Sequence, residues 1–278
     1  MNIMTCDGST FSVFAMKLLL FGISCTLHLC GAWIINYPVV PLYKCCRMQT
    51  ALRHNEVPSS HKLDLNLLVI DHYDSFTYNL VDILAQYTIR PPVVVAANVA
   101  TTWDDLIRKQ FTQRDGRPID GLILSPGPGH PEDPIYALSR DCVKQNNNIP
   151  MLGVCLGHQI LGTVYGAKVD LAVEPIHGQV RNIRLLHDNT AMDPLWDDIT
   201  DSESSPISVT RYHSLHVFDL NETNLVPTTM SDDTNSIIMS MRHKDYPHFG
   251  VQFHPESIGT NETGKKLLQN FVRICSRS

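Results

Sequence analysis

Three residues carry side chains that together can break an amide bond: Cys155, His254 and Glu256. Cys155 sits in Gly153-Val154-Cys155-Leu156-Gly157, directly after the apolar run Pro150–Val154. The pattern G-x-C-x-G is the thiol form of a nucleophile elbow, a sharp strand-to-helix turn. Such a turn needs small neighbours, and it puts the thiol at a helix N-terminus, where the positive end of the dipole favours thiolate. A lone cysteine in an apolar run is ordinarily a buried structural residue; glycines on both sides at the end of a strand reverse that reading. A thiol nucleophile also needs a base, a group to orient the base, and donors for an oxyanion. Phe253-His254-Pro255-Glu256 supplies the first two. If the chain stays extended through Pro255, His254 and Glu256 point to the same side, and the carboxylate orients the imidazole and stabilises its charged form. A histidine beside proline is, alone, more often a surface residue; with the elbow it reads as a base. One oxyanion donor is the backbone N–H of Leu156, the residue after the nucleophile. The other belongs in Ser125-Pro126-Gly127-Pro128-Gly129, whose glycines permit close backbone approach. PGPG by itself marks a plain turn.

These groups must be held by a scaffold, and the flanking pattern says which one. Leu67–Asp71, Val93–Ala96, Gly121–Leu124 and Pro150–Val154 are short apolar runs that read as buried strands. Between the first two, Phe76, Leu80, Ile83, Leu84 and Tyr87 recur at helical spacing, with Asp74 or Ser75 as the cap. Trp103–Gln110 reads as a short helix capped by Thr101 or Thr102. Strands alternating with helices indicate an α/β fold: an open, mostly parallel sheet with helices on both faces. From about Lys168 shorter β-like segments dominate and predict a smaller antiparallel β portion. Gly250–Phe253 reads as the strand that delivers His254, and Glu262–Ile274 as the last helix. The PGPG loop then ends the third strand, at the carboxyl edge where ligands bind in such sheets.

Composition narrows the function classes. Of 278 residues, 43% are hydrophobic and 18% charged, which is ordinary for a globular protein. The net charge of −6 gives a nucleic-acid role no electrostatic support. Residues 1–60 hold four basic and two acidic side chains, leaving 18 basic and 26 acidic in the body. Five of the eight cysteines also fall in that leader; Cys142, Cys155 and Cys275 are the body's own. Neither set has metal-ligand spacing, so no metal and no cofactor is expected, and three dispersed thiols favour a reduced compartment. Residues 18–35 are almost uncharged and follow Lys17. They approach the length of a membrane span, yet the basic start, apolar run and small residues favour a cleaved targeting leader over an anchor. The chain is therefore read as a targeting leader and linker over 1–65, disordered or cleaved, and one domain over 66–278. Membrane contact is expected only if the leader is retained. The sequons at Asn221 and Asn261 are weak signals.

Taken together the segments resemble the class I glutamine amidotransferases. The resemblance covers about residues 66–275 and rests on LVIDHYDSFTYNL at 68–80, LSPGPG at 124–129, LGVCLGHQ at 152–159, His177-Gly178, RYHSL at 211–215 and GVQFHPESI at 250–258, in the family's order. It implies a Cys155–His254–Glu256 triad. It implies a glutamine pocket lined by Gly127, Pro128 and Gly129, which complete the oxyanion hole with Leu156. Gln159, Ser214 and Leu215 would hold the substrate's amino-acid end.

The opening IDHYDSFTYN resembles the chorismate-using branch, the glutaminases of anthranilate synthase and aminodeoxychorismate (para-aminobenzoate) synthase. RPPVVV at 90–95, TWDDL at 102–106 and PHF at 247–249 look more like the eukaryotic para-aminobenzoate enzymes. The implied function is a glutaminase that delivers ammonia to a chorismate-converting synthase in para-aminobenzoate synthesis. The anthranilate enzyme is the alternative, and a free-standing γ-glutamyl hydrolase is the rival from another class. The synthase is absent from this chain, so the partner is a separate polypeptide or the sequence is incomplete. A plastid-type leader fits such enzymes of plants and algae; a cytoplasmic location is the alternative. The family usually has Asn where this chain has His72, in a loop near the partner interface of relatives.

Overall fold

The computed structural model describes residues 62–111, 116–186, 193–199 and 206–277, together with a short antiparallel pairing of Thr5–Cys6 with Ser9–Thr10. The chain divides into two units, Met1–Leu52 and Arg53–Ser278, and the second carries all that follows. The apolar stretch 18–35 and most of the leader expected over 1–65 lie outside the described residues. Packing begins ahead of Asn66: Leu63 bridges to Thr88, and Leu65 is buried. Among the described residues no helix is long and apolar enough to cross a membrane.

Nine strands form one sheet. In chain order they are β1 (Leu67–Asp71), β2 (Val93–Ala96), β3 (Gly121–Leu124), β4 (Met151–Val154), β5 (Lys168–Leu185), β6 (Ile207–Phe218), β7 (Leu225–Ser231), β8 (Ile238–His243) and β9 (His248–Val251). Their spatial order is β2-β1-β3-β4-β9-β8-β7-β5-β6. The first five in that order run parallel and the remaining pairings are antiparallel. The antiparallel portion thus continues the parallel sheet edge to edge, with β9 as the joint between β4 and β8. The strands that precede the site are buried on both faces, which is why they read as unbroken apolar runs. Along β1 the side chains alternate between two cores. Leu67 and Val69 face α1 (Thr77–Tyr87) and the C-terminal helix, whereas Leu68 and Ile70 face the helices on the other side.

Several boundaries differ from the sequence expectation for local reasons. The short helix α2 is regular only over Trp103–Leu106, capped by the Thr102 hydroxyl, and continues as a π turn through Phe111. At the entry to α1 the Asp74 Oδ1 accepts from Phe76 N–H at 2.8 Å, as expected of a cap. Asp71 adds to it, its Oδ1 accepting from Tyr73 N–H (3.0 Å) and the Thr77 hydroxyl (2.8 Å). The remaining helices are α3 (Ala137–Gln145), α4 (Leu156–Val164) and α5 (Asn261–Cys275), the last buried through Leu267, Leu268 and Phe271. The strand before His254 ends at Val251, two residues short of the expected Phe253.

Candidate active site

Cys155 is the hinge between β4 and α4. Its backbone lies at φ 51°, ψ −99°, a region a non-glycine residue occupies only when its surroundings force it. The surroundings are specific. Cys155 N–H donates to Val251 O of β9 at 2.8 Å, and Cys155 O accepts from Gln159 N–H at 3.1 Å. A Cβ on Gly153 would collide with the Gly157 backbone, and one on Gly157 with the Leu124 carbonyl of β3. The two glycines are therefore what lets the helix start this close to the sheet.

His254 approaches from β9. Its Nδ1 is 2.6 Å from Glu256 Oε1, and both side chains are almost fully buried. The chain does not run straight through Pro255 as expected: Ser257 N–H donates back to His254 O at 3.2 Å, so the segment turns. The turn, rather than strand alternation, brings carboxylate and imidazole together. The His254 backbone is pinned by Thr260, whose hydroxyl donates to His254 O (2.6 Å) and accepts from Thr210 N–H (3.0 Å). His254 N–H also donates to Thr210 O at 3.0 Å. Nε2 has no hydrogen-bond partner among the described residues. Burial opposes protonation of this ring, but Cys155 and Glu256 beside it overcome that and raise its pKa well above the ordinary histidine value. An imidazolium flanked by a thiol and a carboxylate is a proton carrier suited to acyl transfer.

In the loop after β3, Pro126 and Pro128 have no N–H, so only Gly127 and Gly129 can donate to an oxyanion. Gly127 is the one beside the elbow. A Cβ there would stand 2.5 Å from His72 Cβ and 2.7 Å from Leu156 Cδ2, whereas one on Gly129 would meet Asp133. The loop rests on His72. His72 itself is wholly buried. Its Nδ1 is 2.7 Å from Ser125 O and its Nε2 2.7 Å from Ser139 Oγ. A carbonyl only accepts, so Nδ1 carries the proton and Nε2 accepts from the Ser139 hydroxyl. Burial lowers the His72 pKa to about 4, which keeps this neutral tautomer in place.

A cavity of about 470 Å³ opens over these groups. Of the residues singled out from sequence, Gly127, Pro128, Gly129, Cys155, Gln159, Ser214, Leu215 and His254 line it; Leu156 and Glu256 lie behind its wall. Gln159 Nε2 donates to Leu215 O and to Gln252 Oε1, each at 3.2 Å, and Oε1 of Gln159 accepts no bond among the described residues. His213 Nδ1 donates to the same Leu215 carbonyl at 3.0 Å, and burial together with the nearby Arg211 lowers its pKa to about 3. Sequence reasoning missed Tyr73, Ser75 and Phe76, which roof the cavity from the loop after β1. The Phe76 ring meets the His254 imidazole edge-on at 5.9 Å. That loop's place at the carboxyl end of a parallel strand was the available signal. Among the described residues no cluster of three or more His, Cys, Asp or Glu side chains is grouped to hold a metal ion.

Residues 68–275 match the family model "Glutamine amidotransferase class-I". The chain is 42% identical over 212 residues to an aminodeoxychorismate synthase of Streptomyces pristinaespiralis, covering 76% of this chain and 26% of that one. It is 41% identical over 209 residues to anthranilate synthase component 2 of Cyanophora paradoxa, covering 74% of this chain and 97% of that one. A glutamine amidotransferase from Thermotoga maritima shares the fold, with a TM-score of 0.56 at 15% identity over 77% of this chain and 99% of that one. The chain thus spans about a quarter of the length of the aminodeoxychorismate synthase it matches.

Proposed function

This chain belongs to the class I glutamine amidotransferase family, and we propose that it hydrolyses glutamine through a Cys155 thioester and hands the ammonia to a chorismate-converting synthase that makes aminodeoxychorismate. The observation that carries the reading is Cys155 held at φ 51° beside an imidazole whose Nδ1 is 2.6 Å from Glu256. With its proton already on His254, the Cys155 thiolate attacks the side-chain amide carbon of glutamine. The oxyanion that forms is met by the N–H groups of Leu156 and Gly127. His254 returns the proton to the departing nitrogen, and ammonia leaves. Water, deprotonated by the same imidazole, attacks the thioester and releases glutamate. Ser214 and the Gln159 amide hold the α-amino and α-carboxylate end.

The pathway is supported by IDHYDSFTYN at the cavity roof and by the aminodeoxychorismate synthase relative. The anthranilate enzyme is the second reading, favoured by an anthranilate synthase component 2 of nearly equal identity. Half-exposed Tyr73, Phe76 and Tyr212 around the cavity mouth are suited to a synthase that closes over the site. The leader supports an organellar, plastid destination. The test is to co-express the full chain with aminodeoxychorismate-forming and anthranilate-forming synthases and supply glutamine with chorismate. Aminodeoxychorismate is the expected product. Anthranilate alone selects the second reading. No glutamine-dependent product from a synthase that works on free ammonia sinks the chorismate assignment, and full activity alone on γ-glutamyl peptides restores the hydrolase.

A further inference from the structure

Gln252 lies just past the end of β9, two residues before His254, and its side chain is wholly buried. A buried amide must place both its donor and its acceptor. Here the placement follows from one backbone carbonyl. Leu215 O can only accept, so the Gln159 atom 3.2 Å from it is the NH2 group. That same NH2 group is 3.2 Å from the Gln252 amide, which must therefore turn its oxygen toward Gln159. The remaining end of Gln252 is its own NH2 group, and it points at Cys155 Sγ at 3.6 Å. The polarity of the chain Leu215–Gln159–Gln252–Cys155 is fixed link by link.

We propose that Gln252 is a positioning residue that couples the nucleophile to the substrate-binding amide. The inference rests on the reading of Cys155 as the glutaminase nucleophile. At one end an N–H aimed at sulfur favours thiolate over thiol, because the anion is the better acceptor. The thiol's own proton has a different outlet, the Tyr212 carbonyl at 3.8 Å. When that proton leaves for His254, the Tyr212 contact lapses and the Gln252 contact strengthens. At the other end Gln252 consumes a Gln159 donor, so Gln159 Oε1 is left facing the cavity as an acceptor. An acceptor there suits the α-ammonium of an amino acid and rejects a substrate that lacks it.

Two variants of the full chain separate these ends. Gln252→Met removes both contacts. Gln252→Glu keeps an oxygen for Gln159 and loses the donor to sulfur. Cys155 is alkylated with iodoacetamide across pH and followed by mass spectrometry of its own peptide, with and without glutamine as protectant. In Gln252→Met alkylation of Cys155 slows about tenfold, and the half-protecting glutamine concentration rises about tenfold. In Gln252→Glu alkylation slows while protection stays within about twofold. Should the Met variant not fold, the Glu variant decides by the same split. Alkylation that does not slow, or equal loss of protection in both variants, overturns the proposal in favour of packing alone. If glutamine fails to protect Cys155 in the unaltered chain, the glutaminase reading itself fails, independently of Gln252.

Discussion

His254 and Glu256 meet at 2.6 Å across a turn, not along a strand. Their contact depends on the backbone bend at Pro255 and on the Thr260 clamp that fixes His254 O. Because Cys155 and Glu256 raise the His254 pKa against the opposing effect of burial, the imidazolium belongs to the folded state. A raised folded pKa contributes stability that is fully present below the unfolded value, about 6.5, and is lost as pH rises through the folded one. Glu256→Gln is expected to narrow glutamine hydrolysis on its alkaline side, since the imidazolium is lost sooner. The melting temperature of Glu256→Gln falls furthest below that of the unaltered chain near pH 6 and converges with it at higher pH. Rate–pH profiles and thermal melts check both; an unchanged alkaline limb contradicts the assignment of Glu256.

The strain at Cys155 gives a prediction that runs opposite for function and stability. At φ 51°, ψ −99° a side chain is disfavoured by about 1–3 kcal/mol relative to glycine. On the proposed mechanism both Cys155→Ala and Cys155→Gly should abolish glutamine hydrolysis. Urea unfolding of the two should show the Gly variant more stable by about 1 kcal/mol, although glycine ordinarily destabilises. A less stable Gly variant means the elbow is relaxed in solution.

Much of this architecture was legible locally. Four parallel strands announced themselves as short apolar runs, and Gly153 and Gly157 flagged the elbow, because these signals depend on neighbours in sequence. What was not legible depends on chain brought from far away. The insertion of β9 between β4 and β8 is a matter of strand order, which periodicity does not encode. His72 stood out in the sequence only as a departure from the family's usual Asn, because the slot its imidazole fills between Ser125 and Ser139 is created only by the assembled sheet. Gln252 and Thr260 have the same origin: Gln252 acts on Cys155 and on Gln159 of α4, and Thr260 on Thr210 of β6, all far along the chain.

His72 has a testable acid signature. Its neutral ring bonds Ser125 O and Ser139 Oγ, and burial depresses its pKa to about 4. A histidine depressed in the folded state contributes stability above its unfolded pKa and loses it as pH falls. Between about pH 6.5 and 4 this one residue should remove about 1.4 kcal/mol per pH unit, or about 3 kcal/mol in all. His72→Asn, which has no proton to take up, should flatten that part of the stability profile measured by denaturant titration. An equally steep acid limb in the variant would assign the effect to the other buried histidines, His158, His213 and His248.

Thr260 separates support of the base from binding of the substrate. Its hydroxyl is both donor to His254 O and acceptor from Thr210 N–H, so it ties the base-bearing turn to β6. Thr260→Val keeps the shape and leaves two buried backbone groups without that partner, which costs about 1–3 kcal/mol. Thr260→Ser restores the hydroxyl and should recover most of the loss. His254 lines the cavity but Thr260 does not, so the Val variant should lower kcat for glutamine hydrolysis while KM stays near that of the unaltered chain. Steady-state kinetics on the three proteins decide the matter. A rise in KM with kcat preserved would mean that the clamp shapes the glutamine pocket and leaves the imidazole where it was.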